Sequence, residues 1–337
     1  MTRVSFGLSL NNRAAVFLRS YTLQDLMKMA EIAEDFSFDS LWVGDSLIDS
    51  PRYEPMALLG AIAARTNKVK IGGSIIQPHF RNPILLALTW ATLDQLSNGR
   101  TILTLGIGGG TPQGVAKEAE LVGIDVKKRG KALEESVQIL RKLWSGEILD
   151  HHGEVYDLIG AKLGYLPIQC PPPIWIAAGA YVPKQHVETI SATPGYTTKT
   201  GLYTGAFRRV ARLADGWFTI MTSPEEFEKN SNMISDLTRE YGRKPNDVKR
   251  AVECWLNVGR DKQKTRTEVA SIIEGYFANK VDTETVERWS IYGTADDCIR
   301  KIQKYVDAGA ETIKLIMGSH EPLSLLDETA KSVLPSF

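Results

Sequence analysis

The chain has 337 residues, and its 40 lysine and arginine residues balance 40 aspartate and glutamate residues, so the formal charge is zero. Broad binding to a nucleic-acid backbone requires a clustered excess of cations, so a nucleic-acid partner is not expected. Hydrophobic residues make up 43% and charged residues 24% of the chain, as in globular proteins. Length and composition leave either one large α/β barrel or two smaller domains.

The three cysteines Cys170, Cys254 and Cys298 are far apart and show no metal-binding spacing. This arrangement is typical of a reducing compartment rather than of a disulfide framework or a zinc site. The first residues lack the apolar core of a signal peptide, and no apolar stretch approaches the roughly 20 residues of a membrane span. We therefore expect a cytoplasmic protein with neither a metal nor a membrane partner.

Short runs of apolar and β-branched residues alternate with longer amphipathic segments, which predicts repeated βα units. Thr22 and Thr294 are placed to cap two of the helices, and Pro83 and Pro224 open two others. Eight units favour a closed (β/α)8 TIM barrel, an α/β fold, over an open sheet. The predicted strands are Val4–Leu10, Ser40–Val43, Val69–Ile76, Thr101–Ile107, Pro173–Ala178, Gly216–Met221, Val248–Val258 and Thr312–Met317.

A plain barrel needs roughly 250 residues, so the remaining length is predicted to form insertions within a single domain that spans 1–337. The first insertion, about 145–170, contains a small hairpin around His151–Tyr156. The second, Ala180–Gly205, is polar and follows the fifth strand, and its length is typical of a lid or binding loop. The third, about 275–291, is charged and predicted to be helical.

In a parallel barrel, ligands bind where the strands end and the βα loops begin, so residues at these positions are the candidate site. Asp45 follows the second strand and is a candidate for catalysis or cofactor binding. It could equally accept backbone N–H bonds within a tight loop. His79 follows the third strand and is a candidate acid or base, although an isolated histidine can also be structural.

Small residues mark the ends of the third and fourth strands. In the third strand, Gly72 and Gly73 predict a bulge, a close approach to a ligand, or packing against a bulky side chain. The turn after the fourth strand predicts a flat backbone surface for a planar cofactor, because Thr111 stands where a dinucleotide-binding fingerprint has its third glycine. This turn contains Gly106, Gly108 and Gly109.

The fifth strand ends in Ala177, Ala178 and Gly179. Small residues with available N–H groups can receive a phosphate at such a position, although tight packing would also explain them. The motifs of serine hydrolases and of metal-dependent hydrolases are missing from the sequence. Paired-carboxylate hydrolysis stays open, but Asp45 is the sole acid placed directly at one of the strand ends.

A collinear series of short stretches extends over nearly the whole chain. It consists of Ser40–Asp45, Tyr53–Pro55, Ala63–Thr66, Val69–Gly72, Thr92–Arg100, Leu105–Gly108, Leu143–Glu147, Ala211–Trp217 and Tyr292–Thr294. The series resembles the luciferase-like monooxygenase superfamily, whose members are (β/α)8 barrels that use reduced FMN or the deazaflavin coenzyme F420. The resemblance implies an enzyme with a flavin-type cofactor.

Three further resemblances favour F420 over FMN. The run Pro173–Gly179 resembles the phosphate-binding strand end of F420-dependent members. Ser74 and Ile75 fall where those members have a non-prolyl cis peptide behind the deazaflavin ring. The C-terminal run Tyr292–Phe337 resembles methylenetetrahydromethanopterin reductase. The resemblance thus implies that Ser74 and Ile75 contact the ring and that Gly179 lies near the phosphate.

Two departures narrow the expected chemistry. F420-dependent glucose-6-phosphate dehydrogenase has a histidine where this chain has Ser46 and a glutamate where it has Thr111, which argues against the same sugar chemistry. The α subunit of bacterial luciferase has a reactive cysteine where this chain has Gly108, which argues against light emission.

The leading hypothesis is an F420-dependent oxidoreductase that transfers a hydride between the deazaflavin and a small organic substrate. The first alternative is a two-component monooxygenase, in which a separate reductase delivers reduced FMN and oxygen oxidises the substrate. A second alternative is a barrel that binds flavin without turnover. Family members are commonly dimers through helices near the second and third strands, so the resemblance also implies a homodimer.

Overall fold

The computed structural model describes residues 3–17, 22–36, 38–109, 112–180, 204–277 and 280–337. Eight parallel strands form a closed barrel in the order β9–β11–β1–β2–β3–β4–β7–β8, and β8 pairs back onto β9. The predicted (β/α)8 barrel is therefore confirmed. The barrel strands are β1 (Ser5–Ser9), β2 (Ser40–Val43), β3 (Lys70–Ile76), β4 (Thr101–Leu105), β7 (Ile174–Ala177), β8 (Gly216–Ile220), β9 (Lys249–Val258) and β11 (Thr312–Met317).

Helices surround the barrel, and their predicted starts are confirmed. Thr22 and Thr294 each form a capping box, while Pro83 and Pro224 stand at the first helical positions. Within the described ranges, no helix is both long and apolar enough to cross a membrane. The described helices are α1 (Ala14–Phe17), α2 (Leu23–Asp35), α3 (Pro55–Arg65), α4 (Pro83–Leu96), α5 (Pro112–Leu121), α6 (Arg129–Trp144), α7 (Thr204–Leu213), α8 (Pro224–Glu240), α9 (Lys262–Phe277), α10 (Thr283–Trp289), α11 (Ala295–Asp307) and α12 (Pro322–Ser332).

The predicted insertions have different outcomes. The first contains an antiparallel hairpin of β5 (Leu149–His152) and β6 (Asp157–Ala161), as expected. The third is mostly helical but ends in a short strand, β10 (Ser290–Gly293), that pairs with the end of β9. A four-residue strand directly after a helix is too short for its periodicity to be recognised. Of the second insertion, residues 181–203 lie outside the described residues.

The barrel interior is filled by large side chains packed against glycines. Trp42, Trp175 and Phe218 form a buried cluster inside the barrel. An ideal Cβ on Gly72 would lie 2.6 Å from Trp42 Cε3, and one on Gly216 would lie 2.6 Å from Trp175 Nε1. Glycine in these strands therefore makes room for the two tryptophans. Of the interpretations of Gly72, packing against a bulky side chain is the one that the structure shows.

Candidate active site

The carboxyl ends of β3, β4 and β7 lie side by side at the mouth of the barrel. Between β3 and β4 the pairing passes from Ser74–Thr104 to Ile76–Leu105, so Ile75 is bulged out of the ladder. The strand that contains Gly72 and Gly73 is thus bulged, but at Ile75 rather than at the glycines, and the Ser74–Ile75 peptide bond is cis, as the resemblance implied.

A surface of uncharged residues, here called the platform, consists of Ser74, Ile75, Gly106 and Ala177. Ser74, Ile75 and Ala177 are half-buried. An ideal Cβ on Gly106 would lie 3.2 Å from Ile75 Cβ and closer still to the end of that side chain. Glycine at position 106 therefore lets Ile75 lie across the end of β4. The platform is an uncharged surface of the kind that a planar ring can contact.

The end of β7 is shaped by its own packing. The Ala178 N–H donates to the Phe218 carbonyl at 3.0 Å, so it already takes part in the barrel ladder. Gly179 has φ of +79°, and an ideal Cβ there would lie 2.8 Å from the Phe207 ring. Backbone conformation and packing thus both require a glycine at position 179. Phosphate binding by Ala177, Ala178 and Gly179 stays a prediction.

Asp45 lies at the mouth but faces the loop after β3. Its carboxylate accepts a hydrogen bond of 3.0 Å from the Gln77 backbone N–H. Arg81 donates two more, of 2.5 and 3.1 Å, and only 1% of the Asp45 side chain is exposed. Asp45 therefore joins the loops after β2 and β3. It accepts a backbone N–H bond, which is the alternative to a catalytic role that the sequence left open. Its contact with a cofactor or a substrate stays a prediction.

The loop after β4 packs against the same side chains. Gly108 has φ of +74°, and an ideal Cβ on it would lie 2.5 Å from the Gln77 side-chain carbonyl carbon. Gln77 in turn donates from Nε2 to the Asp45 carbonyl at 3.1 Å. The structure thus brings Gly108 close to Asp45 through Gln77. Gly109 is exposed at the rim, and Thr111 lies outside the described residues.

His79 lies in a short 3-10 turn after β3, and only 3% of the residue is exposed. Burial, aided by the Arg129 and Arg81 cations, lowers the pKa of His79 to about 3. Its Nδ1 atom has no hydrogen-bond partner within the described part of the chain. The imidazole is therefore neutral near pH 7 and is a weak base. An acid or base role for His79 stays a prediction.

A second group of residues lies on the opposite side of the mouth, and we call Arg13, Arg52 and Tyr276 the arginine cluster. The guanidinium carbons of Arg13 and Arg52 lie 4.5 and 5.7 Å from the centroid of the Tyr276 ring. Arg52 Nη2 donates to the Tyr276 hydroxyl at 2.7 Å. This cluster was not predicted from the sequence, although Arg13 follows the first strand at a position where barrel geometry places ligand contacts.

Two buried polar residues fix the loops that carry the arginines. Asn12 donates from Nδ2 to the carbonyls of Gly44 and Tyr53, both at 2.8 Å. Glu118, from α5, accepts hydrogen bonds at Oε1 from four groups of the loop after β2, at 2.7–3.0 Å. One of these donors is the Ser46 hydroxyl. The backbone that leads to Arg52 is therefore held from two sides.

A buried ion pair lies in the barrel interior beneath the platform. Lys314 on β11 donates from Nζ to the Ser74 hydroxyl, and Nζ lies 3.5 Å from Glu253 Oε2 on β9. The same nitrogen lies 4.2 Å from the ring centroid of Trp42 and 3.9 Å from that of Phe218. Burial lowers the pKa of Lys314 to about 8. In the sequence, this buried ion pair could have been recognised from a lysine within an otherwise apolar strand.

Comparisons with known proteins agree with this architecture. F420-dependent glucose-6-phosphate dehydrogenase from Amycolatopsis mediterranei (strain U-32) is 28% identical over 340 residues, covering 93% of this chain and 94% of that protein. The structure of coenzyme F420-dependent tetrahydromethanopterin reductase from Methanopyrus kandleri superposes with a TM-score of 0.77 at 20% identity, covering 99% of both chains.

A similar structure also exists with FMN. The oxygenating constituent of 3,6-diketocamphane monooxygenase from Pseudomonas putida, in complex with FMN, has a TM-score of 0.73 at 19% identity and covers 99% of both chains. At such identities, the two structures establish the shared fold. Residues 4–185, more than half of the chain, match the family model described as luciferase-like monooxygenase. Together with the closed barrel and the bulge at Ile75, this match shows that the chain belongs to the luciferase-like monooxygenase family.

Proposed function

We propose that this protein is an F420-dependent oxidoreductase that transfers a hydride between the deazaflavin and a small organic substrate. The observation that carries the proposal is the platform, a half-buried and uncharged surface built on the bulged Ile75. The similarity to an F420-dependent dehydrogenase over 93% of the chain supports F420 as the cofactor.

The residues present fit such a group. Thr104 pairs in register with Ser74 and is fully buried, and its hydroxyl has no partner within the described residues. A buried hydroxyl without a partner costs free energy, so a polar edge of a bound ring would satisfy it. Ser74 and Ile75 would support the ring, and Gly106 and Gly108 would lie along it. The strand end at Ala177, Ala178 and Gly179 would receive the phosphate.

When bound, F420 would supply the carbon that exchanges the hydride, because such cofactors carry the redox chemistry themselves. The protein would orient that carbon toward the substrate and exclude water. The apolar layer of Trp42, Trp175 and Phe218 closes the barrel beneath the platform. The ion pair of Asp45 with Arg81 holds the loops after β2 and β3 together beside the platform.

The alternative cofactor is reduced FMN, delivered by a separate flavin reductase and used with oxygen. The FMN complex of a monooxygenase with the same fold favours this alternative. An uncharged platform would accept either ring system. A barrel that binds flavin without turnover is the third possibility.

Titration of the purified protein with F420, followed by fluorescence, and with FMNH2, followed by oxygen uptake, distinguishes these possibilities. We expect saturable F420 binding and no FMNH2-dependent oxygen consumption beyond the protein-free rate. Oxygen-dependent turnover with FMNH2 and no binding of F420 would contradict the proposal. Binding of either cofactor without turnover over a broad substrate panel would favour the non-catalytic barrel.

We also propose that the protein forms a homodimer. Helix α4 follows β3 and exposes Leu85, Leu88 and Leu96, of which 57%, 37% and 61% are accessible. Leu88 follows Leu85 by three positions and Leu96 follows Leu88 by eight, so all three lie along one side of the helix. An exposed apolar row of this kind is typical of an association surface. Sedimentation velocity measures the oligomeric state directly.

A further inference from the structure

Glu253 on β9 points into the barrel and lies beside the platform. Its Oε2 atom accepts a hydrogen bond from the Ser9 hydroxyl on β1, and the Ser74 hydroxyl on β3 lies 3.5 Å from the same oxygen. Strands β3 and β9 are not neighbours in the barrel, so these side chains meet across its interior. Because Ser74 is part of the platform, the carboxylate lies next to the surface proposed to hold the cofactor ring.

Part of the Glu253 side chain is open to the barrel mouth. Its exposed fraction is 11%, whereas the side chain of its ion-pair partner Lys314 is fully buried. The layer of Trp42, Trp175 and Phe218 fills the barrel interior below, so the exposed part faces the mouth. Oε2 makes the contacts with the two hydroxyls and with Lys314, while Oε1 accepts no hydrogen bond from the described residues. One carboxylate oxygen is therefore held in place and the other is available to a ligand.

The two acid–base candidates predicted from the sequence are less available at the mouth. The Asp45 carboxylate is almost completely buried and accepts hydrogen bonds from Arg81 and from the Gln77 backbone. The His79 side chain is also buried, within the turn after β3. Of these three groups, Glu253 is the one with both an exposed surface and a free acceptor atom.

The charge of the site selects the kind of ligand. As a member of the ion pair with Lys314, the Glu253 carboxylate is ionised and can only accept hydrogen bonds. The pair has no net charge, so it suits a neutral donor better than a cation or an anion. A hydroxyl group is such a donor. When a hydride leaves a carbon that carries a hydroxyl, a base must take the hydroxyl proton as the carbonyl forms.

We propose that Glu253 is a catalytic residue that takes the proton of a substrate hydroxyl, and that the enzyme oxidises alcohols to carbonyl compounds. This inference rests on the proposed function, because the hydride acceptor is the deazaflavin. The C–H bond of the alcohol carbon breaks, and its electron pair moves with the hydride to the deazaflavin. The O–H bond breaks as well, its proton moves to Oε1 of Glu253, and a C=O bond forms. The proton then passes to water at the mouth.

The test uses cyclohexanol, which can donate a hydrogen bond, and cyclohexanone, which cannot. The Kd of each for the cofactor-free protein is measured by saturation-transfer NMR, in the wild type and in Glu253→Gln. The wild type should bind cyclohexanol about tenfold more tightly, as expected for one hydrogen bond to a charged group. In Glu253→Gln the preference should disappear, because an amide donates to the ketone as readily as it accepts from the alcohol.

A second readout is the reduction of F420 by cyclohexanol, followed by the absorbance of the cofactor. Glu253→Gln should slow this reaction by roughly 10²–10⁴-fold, the usual contribution of a general base. The Kd for F420, measured by fluorescence titration, should change less than about twofold. These results together would separate a role in proton transfer from a role in cofactor binding.

Glu147→Gln is the matched control, because Glu147 is an exposed glutamate after α6. It should leave every Kd and the reaction rate unchanged. If Glu253→Gln does not fold, Glu253→Gln/Lys314→Met replaces it, because removing both charges leaves neither of them buried without a partner. The double variant should show the same losses as Glu253→Gln.

Equal binding of cyclohexanol and cyclohexanone by the wild-type protein overturns the inference. A wild-type protein that binds F420 but does not reduce it with cyclohexanol also overturns it. So does a tenfold loss of F420 affinity in Glu253→Gln with an unchanged preference for cyclohexanol, which would assign Glu253 to the cofactor. A wild-type protein that binds neither F420 nor FMN contradicts the proposed function. In that case, the preference measured in the cofactor-free protein still decides whether Glu253 binds a hydroxyl group.

Discussion

The two halves of the barrel mouth differ in the chemistry they present. On β3, β4 and β7, the platform offers uncharged and half-buried residues, and the charges of Asp45 and Arg81 behind it are paired with each other. On the half formed by β9, β11, β1 and β2, the arginine cluster places two guanidinium groups over the Tyr276 ring. A planar ring suits the first half better than the second.

The two halves are joined beneath the mouth by the buried Lys314, which links Ser74 of the platform to Glu253. Removing one member of a buried ion pair typically destabilises a protein by about 3–5 kcal/mol, because the other charge is left without a partner. We therefore expect Glu253→Leu to lose stability of that order, measured by urea unfolding at pH 7. Replacing both members, in Glu253→Leu/Lys314→Met, should restore most of it.

The pH dependence of the free energy of unfolding tests the same ion pair in a second way. The pKa of Lys314 is lowered from 10.5 to about 8 in the folded protein, so the unfolded chain binds more protons between these values. The free energy of unfolding should therefore rise with pH across this range, and Lys314→Met should remove that rise. If Glu253→Leu and Glu253→Leu/Lys314→Met are equally stable at pH 7, Glu253 and Lys314 do not stabilise each other.

The sequence predicted the backbone of the site better than its side chains. The barrel, the hairpin and the bulge at Ile75 each depend on periodicity, on turn residues or on a motif that lies within one segment of the chain. The positions of Ser74, Gly106 and Ala177 at neighbouring strand ends follow from the closed parallel topology, because it brings successive strand ends together.

The arginine cluster could not be found in this way. Arg13, Arg52 and Tyr276 come from three separate loops and helices, and Glu118, which fixes one of those loops, comes from a fourth. No local spacing relates these residues, so only their tertiary arrangement reveals them. For the same reason, the sequence suggested a catalytic Asp45 but gave no sign of Arg81, 36 positions away, that pairs with it.

The role of the platform can be tested by disturbing it alone. Gly106→Ala places a methyl group against the Ile75 side chain, and overpacking of this kind typically costs about 1–3 kcal/mol. We expect F420 to bind roughly tenfold more weakly, a change of about 1.4 kcal/mol, because Ile75 must move on the surface proposed to support the ring. Fluorescence titration measures this change.

Gly106→Ala/Ile75→Ala is the matched control, since shortening Ile75 removes the atoms that collide. It should recover part of the F420 affinity. Unchanged F420 affinity in Gly106→Ala would show that the platform does not support the ring.

The smallest effect concerns His79, whose neutral ring keeps the platform side of the mouth free of a further charge. Its pKa is about 3 in the folded protein and 6.5 ordinarily, so between these values the unfolded chain binds more protons. The contribution of neutral His79 to the free energy of unfolding is therefore complete above pH 6.5. It decreases as the pH falls, by at most about 1.4 kcal/mol per pH unit for one proton. His79→Gln should reduce this slope between pH 6.5 and 5 in urea unfolding. Parallel stability curves for the two proteins would mean that His79 becomes protonated without unfolding, and the platform side would then gain a cation in mild acid.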